Sequence, residues 1–297
     1  EYVLGQAKLG YADFQPGPDS SDIILATFPK SGSTWSSYLL HQIRSGGDDS
    51  FDDIKHEVVD ITPGHWDPVD QPFATPQRFE PRTYKTHGSF ERCPKGAKYI
   101  YVSRDPKDIF WSLYQFIHDL LGIEGRVPVD RFYREYFVER FDSGHDIGNV
   151  WDHLLGWHQL YARDNMLWMH YEDLVEHREP VLQRLADYVG VELSDERMAL
   201  VLDHSAMSHM RTISDQINPS PDNYVGKLVA GFGDLTKDYA RRMTFGKMRR
   251  GIPGDGSRNI PLEIVQELDK EWQQRITPRL GFSDYAAMKD ACSILSR

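Results

Sequence analysis

One segment limits what this chain can become more than any other. Ile23 to Thr27 are β-prone and mostly apolar, Pro29 and Gly32 interrupt them, and Trp35 to Ile43 can continue as a helix. A strand that passes through a tight turn into a helix start aims free backbone N–H groups, and the positive end of the helix dipole, at whatever sits in the turn. An anionic nucleotide is the expected ligand. Lys30 adds a mobile cation, and Ser31, Ser33 and Thr34 add hydroxyl donors. The residue order is not that of the common triphosphate loop, Gly-x-x-x-x-Gly-Lys-Ser/Thr, because Lys30 precedes Gly32. The turn therefore points to something other than ATP held with magnesium.

A second strand-to-helix passage runs from Tyr99 to Asp108, with Asp105 at a capping position and Pro106 suited to the first helical turn. In an open parallel sheet, ligands bind at the carboxyl ends of the strands, so Arg104 and Lys30 can converge on one anion-rich molecule. Arg104 can equally pair with Asp105 or Asp108. Further strands are expected at Arg82–Thr86 and Met166–His170. Helices are expected at Thr34–Arg44, Pro106–Leu121, Asp130–Phe141, Asn149–Arg163, Pro180–Val189, Asp195–His204 and Pro261–Arg279. In the last of these, Leu262, Val265, Leu268, Trp272 and Ile276 recur at helical spacing and are expected in the core. The alternation implies an α/β fold, a central and mainly parallel sheet with helices on both faces. No linker composition breaks the 297 residues, which read as a single domain, 1–297.

The pairing of Phe-Pro-Lys-Ser-Gly-Ser-Thr-Trp at 28–35 with Arg-Asp-Pro-Lys-Asp at 104–108, and with Ser112 eight residues after Arg104, resembles the cytosolic-type sulfotransferases. Tyr84-Lys85-Thr86-His87, Tyr171-Glu172-Asp173-Leu174 and Met248-Arg249-Arg250-Gly251-Ile252-Pro253-Gly254-Asp255 follow in the family's order, and the resemblance covers nearly the whole chain. It implies a P-loop-like sulfotransferase fold and a cosubstrate, 3′-phosphoadenosine 5′-phosphosulfate (PAPS), that leaves as PAP. It also implies site residues. The matching histidine, His87, would be the general base, with Lys85 beside the transferred group, Lys30 on the leaving phosphate oxygen, and Ser112 on the 3′-phosphate and able to engage Lys30. Arg104, Arg249, Arg250 and the Gly251 amide would clamp the same phosphate, whose oxygens suit the planar arginine fork. Ser31, Gly32, Ser33 and Thr34 would cradle the 5′ side. Trp35 and Tyr171 would hold the adenine, next to Ser205 and Met207. No metal is implied, since the lysines would do what Mg²⁺ does in kinases.

Chemistry supports part of this without the resemblance. Sulfuryl transfer to a hydroxyl needs a base for the acceptor proton and cations for charge on the bridging oxygen. Histidine's unperturbed pKa lies near neutrality, so His87 can be that base. Lys85 lies two residues before it on one short strand, so both side chains share a face.

The formal net charge of −11 disfavours nucleic acid as a partner. Cys93 and Cys292 form no Cys-x-x-Cys pair, so neither a disulfide framework nor a zinc knuckle is indicated, and a reducing compartment fits. No apolar run is long enough to span a bilayer, and the chain opens without a signal-like pattern, so a cytoplasmic location is expected. Loops at Ile61–Arg82, Leu120–Val129 and Ser214–Gly233 are expected to wall an acceptor pocket, with His65, Trp66, Phe73, His118, Tyr224 and Phe232 beside the acids Asp67, Asp70, Asp119 and Glu124. That mixture leaves a small alcohol, a phenol or an amine open as acceptor.

Two departures from the family pattern bear on the site. Gly256 stands where a tryptophan is common, and Met207 where a phenylalanine is common. Residues downstream of Gly256 also lack the family's short dimerisation motif, so the oligomeric state stays open. A noncatalytic PAP- or PAPS-binding protein and a P-loop small-molecule kinase remain the alternatives; a serine hydrolase lacks its Gly-x-Ser-x-Gly elbow.

Overall fold

The computed structural model describes residue 14 and residues 16–62, 71–121, 125–138, 147–217 and 251–296. In chain order the elements are β1 (Ile23–Thr27), α1 (Ser33–Ser45), α2 (Ile54–Glu57), β2 (Val59–Asp60), β3 (Thr83–Thr86), β4 (Lys98–Ser103), α3 (Pro106–Leu121) and α4 (Val129–Phe132). There follow α5 (Val150–His158), β5 (Met166–His170), α6 (Tyr171–Glu176), α7 (Arg178–Val189), α8 (Asp195–His204), α9 (Met207–Thr212) and α10 (Ser214–Ile217). The last are α11 (Asp255–Asn259), α12 (Leu262–Arg275), α13 (Thr277–Leu280) and α14 (Tyr285–Cys292).

The strands form one parallel sheet in the order β2-β3-β1-β4-β5. Both faces are covered, so the strands carry apolar residues nearly throughout instead of alternating with polar ones. Ile24, Ala26, Tyr99, Tyr101 and Trp168 point into a core built with α3, α5, α12 and α14. Ile23, Leu25, Ile100, Val102 and Met169 point into a second core with α1, α7 and α8. Because every strand runs the same way, all their carboxyl ends lie along one edge, and each hands the chain to the turn that carries the candidate chemistry.

The structure adds a short strand, β2, and shifts some boundaries. The helix expected over Asp130–Phe141 is α4 followed by a wider, π-type coil at Tyr133–Val138, and its last residues lie outside the described ones. The expected Asn149–Arg163 helix stops at His158, and the stretch from Pro261 to Arg279 is broken at Ile276. In α12 the buried face is Ile264, Leu268 and Trp272. Leu262, expected in the core, is 66% exposed: it opens the helix, one position off that stripe. Both cysteines are buried and neither forms a disulfide, and burial pushes the Cys93 thiol up to about 12. No helix of the described residues is long and apolar enough to cross a membrane.

Candidate active site

Between β1 and α1 the chain turns within a few residues. Lys30 takes a left-handed backbone conformation (φ 72°) and Gly32 another (φ 95°) as it caps α1. The Ser31 N–H donates to the Phe28 carbonyl at 3.1 Å and the Ser36 N–H to the Gly32 carbonyl at 3.0 Å. Ser33 and Thr34 open α1 and are half-buried. Lys30 Nζ lies 3.9 Å over the Phe116 ring of α3, a cation–π contact that holds the ammonium beside the turn.

Arg104, where β4 ends, meets this turn from the neighbouring strand. Its guanidinium donates to the Lys30 carbonyl at 3.0 Å, stands 3.7 Å from Asp108, and lies 4.3 Å over the Tyr171 ring. Asp108 also accepts from the Gly254 and Gly256 N–H groups at 2.8 and 2.7 Å, which ties the segment after Gly251 to the first turn of α3. Gly256 packs so closely that a methyl group there would stand 2.3 Å from the Lys107 carbonyl oxygen. The tryptophan common in the family at this position has no room in this arrangement. Ser112 is half-buried on the same helix, α3.

Tyr171 begins α6, directly after β5, and is the hub of the contacts beside the turn between β1 and α1. Its ring faces Gly32, meets Trp35 edge to face at 5.7 Å, and its hydroxyl lies by Gly251. Met207 closes on Gly251 from the other side: a methyl group on Gly251 would stand 2.9 Å from the Tyr171 hydroxyl and 3.1 Å from Met207 Cε. The indole N–H of Trp35 donates to the Ser205 carbonyl at 3.1 Å. Ser205 is fully buried and donates its hydroxyl to Leu202 O at 3.1 Å. It therefore serves the helix end and Trp35, in contrast to the expectation that it faces a ligand. Arg249 and Arg250 lie outside the described residues.

His87 follows β3. Its Nδ1 stands 2.8 Å from the Thr27 carbonyl, the last of β1, and 3.1 Å from the Thr27 hydroxyl. Lys85 Nζ pairs with Asp60 of β2 at 2.6 Å, both largely buried. Strand order explains the grouping: β3 lies between β2 and β1, with Asp60 in register with Lys85 and Ala26 with Thr86. The backbone around His87 is fixed from several sides. Its N–H donates to the Thr62 hydroxyl at 3.0 Å, its carbonyl accepts from His153 Nε2 at 3.2 Å, and the Gly88 carbonyl accepts from the Trp157 indole at 3.2 Å. His153 Nδ1 in turn accepts from the Tyr101 hydroxyl at 2.9 Å. Burial, outweighing those carbonyl contacts, lowers the His153 pKa to about 4, so the ring is neutral.

Asp60, His153 and Trp157 escaped the sequence reading. His153 and Trp157 stand four apart in a stretch read as helix, so they share a face, and that spacing was the available signal. Asp60 was findable as the acid that closes the run Val58-Val59.

Several residues expected at the acceptor pocket sit elsewhere. Phe73 is buried against Tyr84 with ring centroids 4.5 Å apart. His118 is buried, with its ring nitrogens 2.8 and 3.0 Å from the Tyr114 and Val127 carbonyls, so it braces the chain before α4. Asp119 is exposed. Residues 71–82 are pinned to the body, since Arg44 donates to the Phe79 and Pro81 carbonyls and Arg82 forks onto Asp22. His65, Trp66, Asp67, Asp70, Glu124, Tyr224 and Phe232 lie outside the described residues.

The fit to an anionic nucleotide can be judged from atoms that the protein leaves unsatisfied. Ser31 Oγ, in the turn, and Arg104 Nε, beside it at the end of β4, are buried with no hydrogen-bond partner among the described residues. Buried polar atoms normally have partners. An anion in the turn suits both donors. A parallel sheet whose carboxyl edge gathers lysine, arginine and helix-start amides defines an open α/β protein with its basic groups where such sheets take their ligands.

Comparison with known proteins narrows that class. The sulfotransferase domain model matches residues 20–278, and the chain belongs to this family. It is 25% identical over 280 residues to the amine sulfotransferase of Oryctolagus cuniculus, which covers 89% of this chain and 83% of the relative. It is 27% identical over 275 residues to sulfotransferase 2B1 of Rattus norvegicus, covering 91% of this chain and 75% of the relative. Among solved structures, mouse sulfotransferase SULT7A1 complexed with PAP shares the fold with a TM-score of 0.62 at 20% identity, over 90% of this chain and 88% of that one. Retinol dehydratase in a complex with retinol and PAP does so at 0.67 and 16%, over 89% and 83%. The chain is a sulfotransferase, an enzyme of sulfuryl transfer.

Proposed function

We propose that the sulfuryl donor is PAPS and that the group passes in line to a hydroxyl of a small-molecule acceptor, an alcohol or phenol, with an amine as the alternative. The observation that carries this reading is the contact of His87 Nδ1 with the Thr27 carbonyl at 2.8 Å. A carbonyl oxygen only accepts, so Nδ1 carries the ring proton and Nε2 keeps its lone pair. A neutral imidazole in that tautomer takes the acceptor's O–H proton while the new O–S bond forms and the S–O bond to the donor's phosphate breaks. The products are the sulfated acceptor, PAP, and a proton held on His87. Lys30 meets the negative charge that grows on the leaving phosphate oxygen, and Lys85, oriented by Asp60, sits beside the transferred group.

The remaining assignments follow the turns. Ser31, Gly32, Ser33 and Thr34 bind the 5′ side, while Arg104, Ser112, Arg249, Arg250 and the Gly251 amide bind the 3′-phosphate. Trp35, Tyr171 and Met207 border the adenine, and Ser205 acts through Trp35. The relatives, an amine sulfotransferase among them, do not choose the acceptor, so the test is a mass screen for sulfated products over an acceptor library with PAPS. The expected result is one acceptor class that gains a sulfuryl group with wild type and not with His87→Ala. Tight PAP binding without transfer to any alcohol, phenol or amine would overturn the reading.

A further inference from the structure

Away from the sheet edge, the loop that follows α1 meets the corner between α8 and α9 through side chains that have no part in the scheme above. Asp49 Oδ2 lies 2.7 Å from His209 Nε2 and 3.3 Å from His204 Nδ1. The two imidazoles are stacked, with centroids 4.4 Å apart and planes 6° from parallel. The three ligand-type atoms lie within 4.8 Å of one another. We propose that Asp49, His204 and His209 form a binding site for a divalent transition cation of the zinc type.

The donor set is the first argument. Two imidazole nitrogens and one carboxylate oxygen suit Zn²⁺, and three protein ligands leave a fourth position for water. The second argument is how the carboxylate is held. Its other oxygen, Oδ1, accepts from the Tyr38 hydroxyl at 2.6 Å and from Gln42 Nε2 at 2.8 Å, both on α1. Those donors turn Oδ2 toward the histidines, as outer partners of metal ligands do. Access is the third. The side chains of His204, Asp49 and His209 are 16%, 23% and 26% exposed, so the cluster is neither sealed nor fully solvated.

Binding asks for a local rearrangement, because His204 Nδ1 stands 2.9 Å from Gln42 Oε1 and has to leave that hydrogen bond. The proton that His209 Nε2 shares with Asp49 moves to Nδ1 as the cation takes its place, and the proton that His204 Nδ1 donates to Gln42 Oε1 moves to Nε2, so that His204 binds through Nδ1. Ligand atoms bonded to one tetrahedral ion at about 2.0–2.2 Å stand roughly 3.3 Å apart. The His204–Asp49 separation already matches, and His209 has to retreat by about half an ångström. The bound cation would cross-link the loop after α1 to the corner where Ser205 receives the Trp35 indole. The inference does not depend on the identity of the sulfuryl donor or acceptor.

The test titrates the whole chain, stripped with a chelator, with zinc chloride by calorimetry and with Co²⁺ as an optical probe. The expected result is one saturable zinc equivalent in the micromolar range, a tetrahedral cobalt band, and a rise in melting temperature with zinc. Losing merely an outer partner of a ligand weakens metal binding by about 10- to 100-fold, so His209→Gln should weaken zinc by at least tenfold and abolish the band. Asp49→Asn keeps an acceptor for Tyr38 and Gln42 and serves as the second variant if His209→Gln does not fold. Zinc affinity and cobalt spectrum unchanged in the folded variant, or no saturable binding below millimolar zinc in wild type, would overturn the site.

Discussion

The ring of Tyr171 rests on the backbone of Gly32: a methyl group at Gly32 would stand 2.6 Å from Tyr171 Cδ2 and 2.9 Å from Cε2. The phosphate-type turn after β1 and the start of α6 after β5 are thereby keyed together across the intervening strand β4. The contact needs glycine twice over, for space and because φ is 95°. An L-residue in the left-handed region costs roughly 1–2 kcal/mol before any clash. Gly32→Ala should therefore weaken PAP by more than tenfold in calorimetry. In a Tyr171→Ala background, where the clash is gone together with an adenine contact, Gly32→Ala should still lower PAP affinity by the cost of the left-handed backbone alone; no further loss there would show that the turn conformation is not what matters.

Arg104 joins the Lys30 carbonyl, Asp108 and the Tyr171 ring at the same edge. Its proposed role is to bind the phosphate that distinguishes PAP from ADP. Truncating one partner of a buried, hydrogen-bonded charge pair typically costs about 2–5 kcal/mol. Arg104→Ala should lower PAP affinity on that scale and leave ADP, which lacks the 3′-phosphate, much less affected. Equal losses for the two nucleotides, or equal affinity of the wild type for both, would remove the assignment.

His87→Ala should abolish transfer and leave PAP affinity nearly unchanged, because the base acts on the acceptor. General-base contributions are about 10²- to 10⁴-fold in rate. Lys30→Ala should damage binding and turnover together, since its ammonium is held by Phe116 beside the turn proposed to take the nucleotide. Near-normal turnover by His87→Ala on the true acceptor would move the base elsewhere.

What could be read from the sequence follows from how local each signal is. Strands β1, β4 and β5 and helices α3 and α8 stand as expected, because apolar runs bounded by Pro, Asp or Ser are decided by neighbours in sequence. Gly32, Lys30 and Arg104 were legible for the same reason: each sits where a strand hands over to a helix. Contacts between distant segments were not. Lys85 looked like a cation open to the substrate until β2 brought Asp60 into register with it. Ser205 and Phe73 carry chemistry-compatible side chains, and only burial shows that one serves a helix end and the other the core. The tight fit of Gly256 against Lys107 gives a physical account of one departure from the family pattern.

His153 links the core to His87, since it accepts from Tyr101 and donates to the His87 carbonyl. Its pKa falls from 6.5 to about 4 on folding, chiefly by burial. Between those values the unfolded chain binds the extra proton and the folded one does not, so this residue makes stability rise with pH across the window and fall on acidification. Full expression of the shift corresponds to about 3 kcal/mol, an upper figure. Gln at this position retains an acceptor for Tyr101 and a donor for the His87 carbonyl, and it does not titrate. Urea unfolding of wild type and His153→Gln at several pH values from 4 to 7.5 should show a flatter profile for the variant below pH 6.5, with the two running parallel above it. Parallel profiles over the whole range would mean that His153 is not buried neutral, and the support it lends to the His87 carbonyl would have to come from an imidazolium instead.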